Sequence, residues 1–290
     1  MMHSFEYARP ATIAETVALL DEYGPDARLL AGGTDLLIEL RDWKIQPKVV
    51  IDVKRIAELA PAIRRVDGRL SISASSVMTD IVEDTEVQRH FPALAEAAVV
   101  VGSVQIRNRA TLAGNICNGS PAADTSPPLL VYRAVVVVVG PAGTRRIPID
   151  DFIVGPGVTA LARGEMVTAI EVPFPDRPTG AAYTRLTRRW GTDLASITLC
   201  CGVEAGGVTR LAYGSVGPRA LLVTDETGVL ADEDATEDDK AFVLDAMFAD
   251  ASPSPRSMRA SPAYRLAMLR VLGARALHTA LERLSKELVP

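Results

Sequence analysis

The run of small residues Ala31–Leu36 (AGGTDL) has the composition of a loop that holds an anion. It directly follows a short apolar stretch that is predicted to be a strand. Glycine can adopt the left-handed conformations that let successive main-chain N–H groups face one anion, and Thr34 adds a hydroxyl donor. A pyrophosphate is the expected guest. The same residues also suit a strand-to-helix turn with Thr34 or Asp35 as N-cap, so this run alone leaves both interpretations open.

A second segment, 109–128 (RATLAGNICNGSPAADTSPP), combines Gly, Asn, Ser and Pro with the buried-type residues Leu112 and Ile116. Small and apolar residues together are typical of a loop that lines a cofactor, whereas a connecting loop is usually more polar. Asp124 could accept hydrogen bonds from sugar hydroxyls, as acidic residues do with ribose. It could equally cap the proline-started helix that follows. The local residues leave these two roles open.

The composition argues against several other functions. The chain has 290 residues, 31 basic and 36 acidic, with net charge −5 and no basic stripe, so nucleic acid is not expected as a partner. Three cysteines and three scattered histidines show no metal-ligand spacing, so no metal is expected on this chain. No catalytic triad or acid–base pair is recognisable. No apolar run reaches the roughly 20 residues of a membrane span, and free cysteines fit the cytoplasm.

The elements that must position these segments indicate an α+β fold. Thr12 and Glu15 predict a capping box for the first helix, which Gly24 would close in the left-handed conformation. Three prolines between 173 and 178 mark a boundary, because proline interrupts both helices and sheet ladders. Beyond it, adjacent cysteines 200 and 201 on one predicted strand are expected to be core and surface neighbours. A long helix is predicted from 262 towards 288. The absence of a regular βαβ rhythm argues against a doubly wound sheet.

Taken together, AGGTDL and the later TLAGNIC and SPAADT resemble the FAD-binding medium subunit of molybdenum hydroxylases, the family of xanthine dehydrogenase and carbon monoxide dehydrogenase. The resemblance continues through 188–195 and the final helix. It implies a two-subdomain FAD-binding domain of the vanillyl-alcohol-oxidase/PCMH-like type at 1–175, with subdomains of about 1–55 and 56–175. A smaller α+β C-terminal domain would span 178–290.

The resemblance also implies which residues contact FAD. Asp124 would hold the adenosine side, Leu194 would cover the isoalloxazine, and Arg185 stands where the family usually has a lysine near the flavin. Ala113 departs from the more common Gly-Gly-Asn, and its methyl is tolerable if φ is negative. The remaining expected contacts are, around the diphosphate and ribityl, Leu29, Leu30, Ala31, Gly32, Gly33, Thr34, Asp35 and Leu36; on the second loop, Thr111, Gly114 and Asn115; and, as apolar contacts, Val101 and Val167.

The function implied by the resemblance is electron transfer. A large molybdopterin subunit would oxidise the substrate, and the [2Fe-2S] clusters of a small subunit would pass electrons to FAD on this chain. The acceptor could be NAD⁺, a quinone or O₂, and the assembly a dimer of heterotrimers. One alternative is a stand-alone FAD-dependent reductase of the same architecture, and another is a structural subunit that has lost flavin. A nicotinamide-binding Rossmann domain is disfavoured because no GxGxxG opens a helix. The substrate stays open.

Overall fold

The computed structural model describes residues 3–288. Its first sheet is parallel, with strand order β1-β3-β2, and the central strand β3 is fully buried. Parallel strands end at one edge of a sheet, where ligands of α/β proteins bind. The loop 31–35 leaves β2 at that edge. The elements of this part are β1 (Glu6–Ala8), α1 (Ile13–Tyr23), β2 (Ala27–Leu30), α2 (Leu36–Arg41) and β3 (Val49–Asp52), with short 3₁₀ turns at Gly24–Asp26 and Ala57–Leu59.

The start of α1 follows the sequence prediction only in part. The Thr12 hydroxyl accepts a hydrogen bond from the Glu15 N–H at 3.1 Å, which caps the helix. The Glu15 carboxylate, however, accepts from the N–H of Ala11 at 2.7 Å rather than from that of Thr12. Gly24 ends the helix with φ 52° and ψ −123°, outside the left-handed helical region. The predicted helix is therefore present, with a different closure at both ends.

The second sheet has five antiparallel strands in the order β4-β5-β10-β6-β7. A β-bulge lies between Val167 and Ala169 in its central strand. The strands are β4 (Ile63–Val66), β5 (Arg69–Ser73), β6 (Val135–Gly140), β7 (Gly143–Pro148) and β10 (Met166–Pro173), and β8 (Ile153–Gly155) pairs separately with β9 (Val158–Thr159). The helices are α3 (Met78–Glu83), α4 (Thr85–His90), α5 (Pro92–Val99), α6 (Val104–Arg107), α7 (Leu112–Cys117), α8 (Ser126–Val131) and α9 (Ile149–Phe152).

The third sheet is an antiparallel meander, β11-β12-β13-β14, and the long helix α11 packs on β11 and β12. Within residues 3–288, no helix combines the length and apolarity needed to cross a bilayer. The elements are β11 (Thr179–Leu186), β12 (Ile197–Glu204), β13 (Thr209–Gly214), β14 (Leu221–Asp225), a 3₁₀ turn (Val229–Ala231), α10 (Glu237–Met247) and α11 (Pro262–Leu288).

Strand β12 is covered on both faces. Cys200 belongs to the core shared with the second sheet, whereas Cys201 belongs to the core under α11, and both are fully buried. The expectation of a core and a surface neighbour is therefore wrong. The reason is that α8 packs on one face of this sheet and α11 on the other. The prolines at 173–178 separate the second sheet from the third. The hydrophobic core nevertheless continues from one sheet to the other.

The carboxylate of Glu165, directly before β10, predicts a measurable pH dependence of stability. Glu165 accepts two hydrogen bonds of 2.7 Å from Arg145, and this pairing lowers the Glu165 pKa. A lowered pKa stabilises the fold above the ordinary value of 4.5, and that stabilisation is lost as pH falls through the lowered value. We expect Glu165→Gln to reduce the free energy of unfolding by about 1 kcal/mol at pH 7.

Chemical denaturation at pH 7 and pH 3 checks this expectation, with the exposed Glu233→Gln as the matched control. The difference between wild type and Glu165→Gln should be smaller at pH 3 than at pH 7, because pH 3 lies below the ordinary value of 4.5, where the stabilisation from the lowered pKa is already being lost. A difference that is equal at both pH values would contradict the assigned role of the Arg145 pair.

Candidate cofactor-binding site

The loop between β2 and α2 needs its two glycines for different reasons. Gly33 has φ +75°, a conformation that side chains rarely adopt. Gly32 lies against another segment: a Cβ at this position would be 2.0 Å from the carbonyl oxygen of Arg109. The first loop therefore touches the backbone of the second, and only a residue without a side chain permits that approach.

The main-chain N–H groups of residues 32–35 are the donors that this loop offers. Within the described residues 3–288, none of the four donates a hydrogen bond to a protein acceptor. Asp35 occupies the N-cap position of α2, but its side chain makes no capping hydrogen bond. The simple capped turn left open by the sequence is thus not what forms. Unused N–H groups in a glycine loop fit a phosphate or diphosphate, so these residues fit the diphosphate of FAD.

The second loop is held by its own side chains. The hydroxyl of Thr111 caps α7 by accepting a hydrogen bond from the Gly114 N–H at 2.9 Å. Oδ1 of Asn115 accepts one from the Thr125 hydroxyl at 2.7 Å. Ala113 lies inside α7, where φ is negative, so its methyl group is accommodated without backbone strain. Gly114 is exposed and leaves the start of α7 open to a ligand.

Asp124 connects the second loop to the third sheet. Its carboxylate accepts a hydrogen bond from the Tyr183 hydroxyl at 2.6 Å and lies 3.4 Å from Nη1 of Arg185. Thr125, rather than Asp124, is the N-cap residue of α8, so the helix-cap interpretation of Asp124 is wrong. Burial raises the pKa of the Asp124 carboxyl, which Tyr183 and Arg185 partly oppose. Burial and the Asp124 charge raise the pKa of Tyr183 well above its ordinary value.

These three residues, the Asp124 trio, revise one expectation. The resemblance implies that Asp124 contacts the adenosine side of FAD and that Arg185 lies near the flavin. Two side chains 3.4 Å apart cannot serve opposite ends of an extended FAD, so one of those two assignments is wrong. Tyr183 was missed by the sequence analysis. Alternate residues of a strand share a face, so Tyr183 and Arg185, which are two positions apart in β11, project from the same face of the sheet.

The loop 187–195 is stabilised from within. Arg188 donates from its main-chain N–H and its guanidinium to the Asp193 carboxylate, at 3.1 and 3.2 Å. This pairing with Arg188 lowers the pKa of Asp193. Trp190 is fully exposed and Leu194 is 52% exposed, which leaves two apolar side chains on the surface of this loop. Arg185 and Arg188 each pair with a different carboxylate, that of Asp124 and that of Asp193.

The remaining predicted contacts differ in their accessibility. Leu29, Leu30 and Leu36 flank the glycine loop and are half-buried. Val101 is also half-buried, in the turn between α5 and α6. Val167 lies in β10 within the main core and is 5% exposed. The loop residues therefore present accessible surface, whereas Val167 is almost completely covered by protein.

Other features of the described residues 3–288 indicate no second chemical centre. Within them, no group of three or more His, Cys, Asp or Glu side chains is placed to hold a metal. The three cysteines are free, and burial raises the pKa of Cys117 and of Cys201 to about 12. Two surface depressions of about 350 and 130 Å³ are lined by none of the predicted cofactor residues. The loops and their backbone donors, rather than an enclosed cavity, define the site.

Comparison with known proteins identifies the family. Residues 3–175 match the family model described as the FAD binding domain in molybdopterin dehydrogenase. Residues 181–280 match the CO dehydrogenase flavoprotein C-terminal domain. The carbon monoxide dehydrogenase medium chain of Hydrogenophaga pseudoflava is 35% identical over 283 residues, covering 96% of this chain and 98% of the relative. The putative xanthine dehydrogenase FAD-binding subunit XdhB of Escherichia coli is 33% identical over 271 residues, covering 92% of each.

Solved structures agree with these matches. Carbon monoxide dehydrogenase from Hydrogenophaga pseudoflava superposes with a TM-score of 0.89 at 35% identity, over 98% of this chain and 99% of that one. Reconstituted CO dehydrogenase from Oligotropha carboxidovorans gives 0.88 at 29% identity, over 98% of this chain and 99% of that one. The chain belongs to the family of FAD-binding medium subunits of molybdenum hydroxylases, and is an oxidoreductase subunit with FAD as its cofactor. The resemblance and the α+β fold class predicted from sequence are confirmed.

Proposed function

We propose that this chain carries electrons from the [2Fe-2S] clusters of a small subunit, through its bound FAD, to an external acceptor such as NAD⁺, a quinone or O₂. A large molybdopterin subunit oxidises the substrate, and the complex is a cytoplasmic dimer of heterotrimers. The observation that carries the proposal is the unused set of N–H donors at 32–35, held against the second loop by the close approach of Gly32 to Arg109. The medium-chain relatives of CO dehydrogenase support the partners.

The protein's part is binding and orientation, while FAD supplies the acceptance and release of electrons when bound. The backbone of 29–36 holds the diphosphate and ribityl, and Thr111, Gly114 and Asn115 hold the cofactor from the second loop. The Asp124 trio lies at the flavin end of the cofactor, so the assignment of Arg185 is kept and that of Asp124 to the adenosine side is given up. Val101 and Leu194 supply the apolar surface that keeps water from the flavin, with the buried Val167 packed in the core behind it.

A reconstitution experiment tests this proposal. The purified full chain is incubated with excess FAD, desalted and examined by absorbance, alone and after co-expression with a molybdopterin subunit and an iron–sulfur subunit. We expect flavin bands on the chain and a co-eluting complex that also shows iron–sulfur absorbance and molybdenum. Flavin on a chain that never associates with such partners would favour the stand-alone reductase. No flavin after reconstitution would contradict FAD binding altogether.

Arg185 gives a more specific prediction for the bound cofactor. A cation near the flavin stabilises the negatively charged reduced form, so we expect Arg185→Met to lower the midpoint potential of bound FAD. A loss of about 1.4 kcal/mol corresponds to about 30 mV for a two-electron couple. Spectroelectrochemical titration of the loaded chain measures the shift. Arg188→Met, which removes the cation paired with Asp193 instead, is the matched control. Equal potentials in both variants and wild type would show that Arg185 has no such role.

A further inference from the structure

Ser215, which directly follows β13, links three separate segments. Its main-chain N–H donates to the Pro121 carbonyl at 2.7 Å, and its hydroxyl donates to the Ala195 carbonyl at 3.0 Å. Its own carbonyl accepts a hydrogen bond from Nη1 of Arg265 at 2.6 Å. Ser215 has φ +65°, a conformation that is strained for a residue with a side chain. Such strain persists where surrounding contacts impose it and is concentrated at functional sites.

Arg265 is an unusual partner for this turn. It lies in the first turn of α11 and is 4% exposed. Its guanidinium donates to the Ser215 carbonyl and to the Ser257 hydroxyl, while Nε is buried with no partner among residues 3–288. Burial and the nearby Arg259 charge lower the pKa of Arg265. A buried charge that meets only neutral acceptors reduces stability. The placement of Arg265 is therefore better explained by the two groups it orients, the Ser215 carbonyl and the Ser257 hydroxyl.

The two segments that Ser215 joins both carry predicted cofactor contacts. Pro121 precedes Asp124 by three residues, and Ala195 directly follows Leu194 in the 187–195 loop. The contact with Pro121 is tight, since a Cβ at Gly214 would be 2.8 Å from the Pro121 carbonyl oxygen. A single turn thus sets the separation of the Asp124 segment and the Leu194 loop.

We propose that Ser215, oriented by Arg265, is a positioning residue that fixes the Pro121–Asp124 segment and the 187–195 loop relative to each other, and with them the FAD contacts of both. This inference rests on the proposed function. The main-chain N–H of Ser215 binds the Pro121–Asp124 segment, and its hydroxyl binds the 187–195 loop. Loss of the hydroxyl therefore releases the 187–195 loop while the link to Pro121 persists.

Ser215→Gly tests the proposal without adding backbone strain. Glycine accepts φ +65° and keeps both main-chain hydrogen bonds, so only the hydroxyl is removed. Ser215→Ala removes the same hydroxyl but retains the strain. We expect both variants to fold, to bind FAD five- to tenfold more weakly than wild type and to show faster amide hydrogen exchange in 187–195. Because the hydroxyl bond exists without cofactor, the faster exchange is expected in the FAD-free chain as well.

Arg219→Ala is the matched control. Arg219 also links the third sheet to the preceding part of the chain, through the Asp150 carbonyl and carboxylate at 2.8 and 2.9 Å, and it contacts neither Pro121 nor Ala195. We expect this variant to keep FAD affinity within twofold and wild-type exchange in 187–195. Wild-type affinity and exchange in Ser215→Gly would overturn the positioning role. A wild-type chain that binds no FAD would instead contradict the proposed function, and the FAD-free exchange comparison would still decide the role of Ser215.

Discussion

Gly32→Ala is expected to remove most FAD binding at cofactor concentrations that just saturate the wild type. The added Cβ would lie 2.0 Å from the carbonyl oxygen and 2.7 Å from the carbonyl carbon of Arg109, so no side-chain rotation can relieve the overlap. The two loops must separate, which displaces the N–H donors of 32–35. Overpacking of this kind costs up to about 3 kcal/mol. If this energy destabilises the arrangement of the two loops that binds FAD, the Kd for FAD rises about 100-fold.

Equilibrium titration of the FAD-free chain with FAD, followed by flavin fluorescence, measures the change. Gly155→Ala is the matched control, because a Cβ at that position meets nothing within 4 Å. It should bind FAD as the wild type does. Wild-type affinity in Gly32→Ala would show that the contact between the two loops does not shape the cofactor site.

Asp124→Leu is expected to give the second large effect, on stability and on FAD binding together. The substitution leaves the half-buried Tyr183 hydroxyl without its acceptor and Arg185 without its carboxylate. Removing one member of a buried ion pair typically costs 3–5 kcal/mol, and we expect about 3 kcal/mol because Arg185 retains 15% exposure. Urea denaturation measures the stability, and the FAD titration measures the affinity.

A triple variant separates the two effects. Asp124→Leu/Tyr183→Phe/Arg185→Met replaces the whole trio with apolar groups, so no polar member of the trio is left unpaired. We expect its stability to recover to within about 1 kcal/mol of wild type, since apolar replacement of a buried ion pair is often neutral. FAD affinity should not recover. If stability and FAD affinity both recover, the trio only joins the two parts of the chain and does not contact FAD. If neither recovers, the loss in Asp124→Leu is a packing defect.

Asp150→Ala provides the comparison for these variants. It breaks another ion pair between the same parts of the chain, but Asp150 and Arg219 are 50% and 32% exposed. Solvent screens such a pair, so we expect a loss below about 1 kcal/mol. A loss as large as that of Asp124→Leu would show that burial is not what makes the trio important.

Features governed by neighbours in sequence were predictable. The Thr12 cap depends on a bond to an N–H three residues away, so the composition of that short stretch is sufficient to predict it. The final helix, observed at Pro262–Leu288, follows from the spacing of its apolar residues. The two loop motifs, in their order and separation, were sufficient to predict the family. The backbone conformation of Gly24 at the end of α1 could not be predicted, because several glycine conformations end a helix.

The α+β class, the main helices and the family with its FAD cofactor follow from the sequence alone, because they depend on local periodicity and on motifs that can be read in order. Three-dimensional packing was needed to show that Gly32 lies on the Arg109 carbonyl, that Tyr183 completes the trio and that Cys201 is buried. The same is true of Ser215, which joins Pro121 to Ala195. Each of these contacts depends on which strands pair and which helix covers which face. Residues separated by 20 to 94 positions meet only through that topology, and no local pattern encodes the pairing.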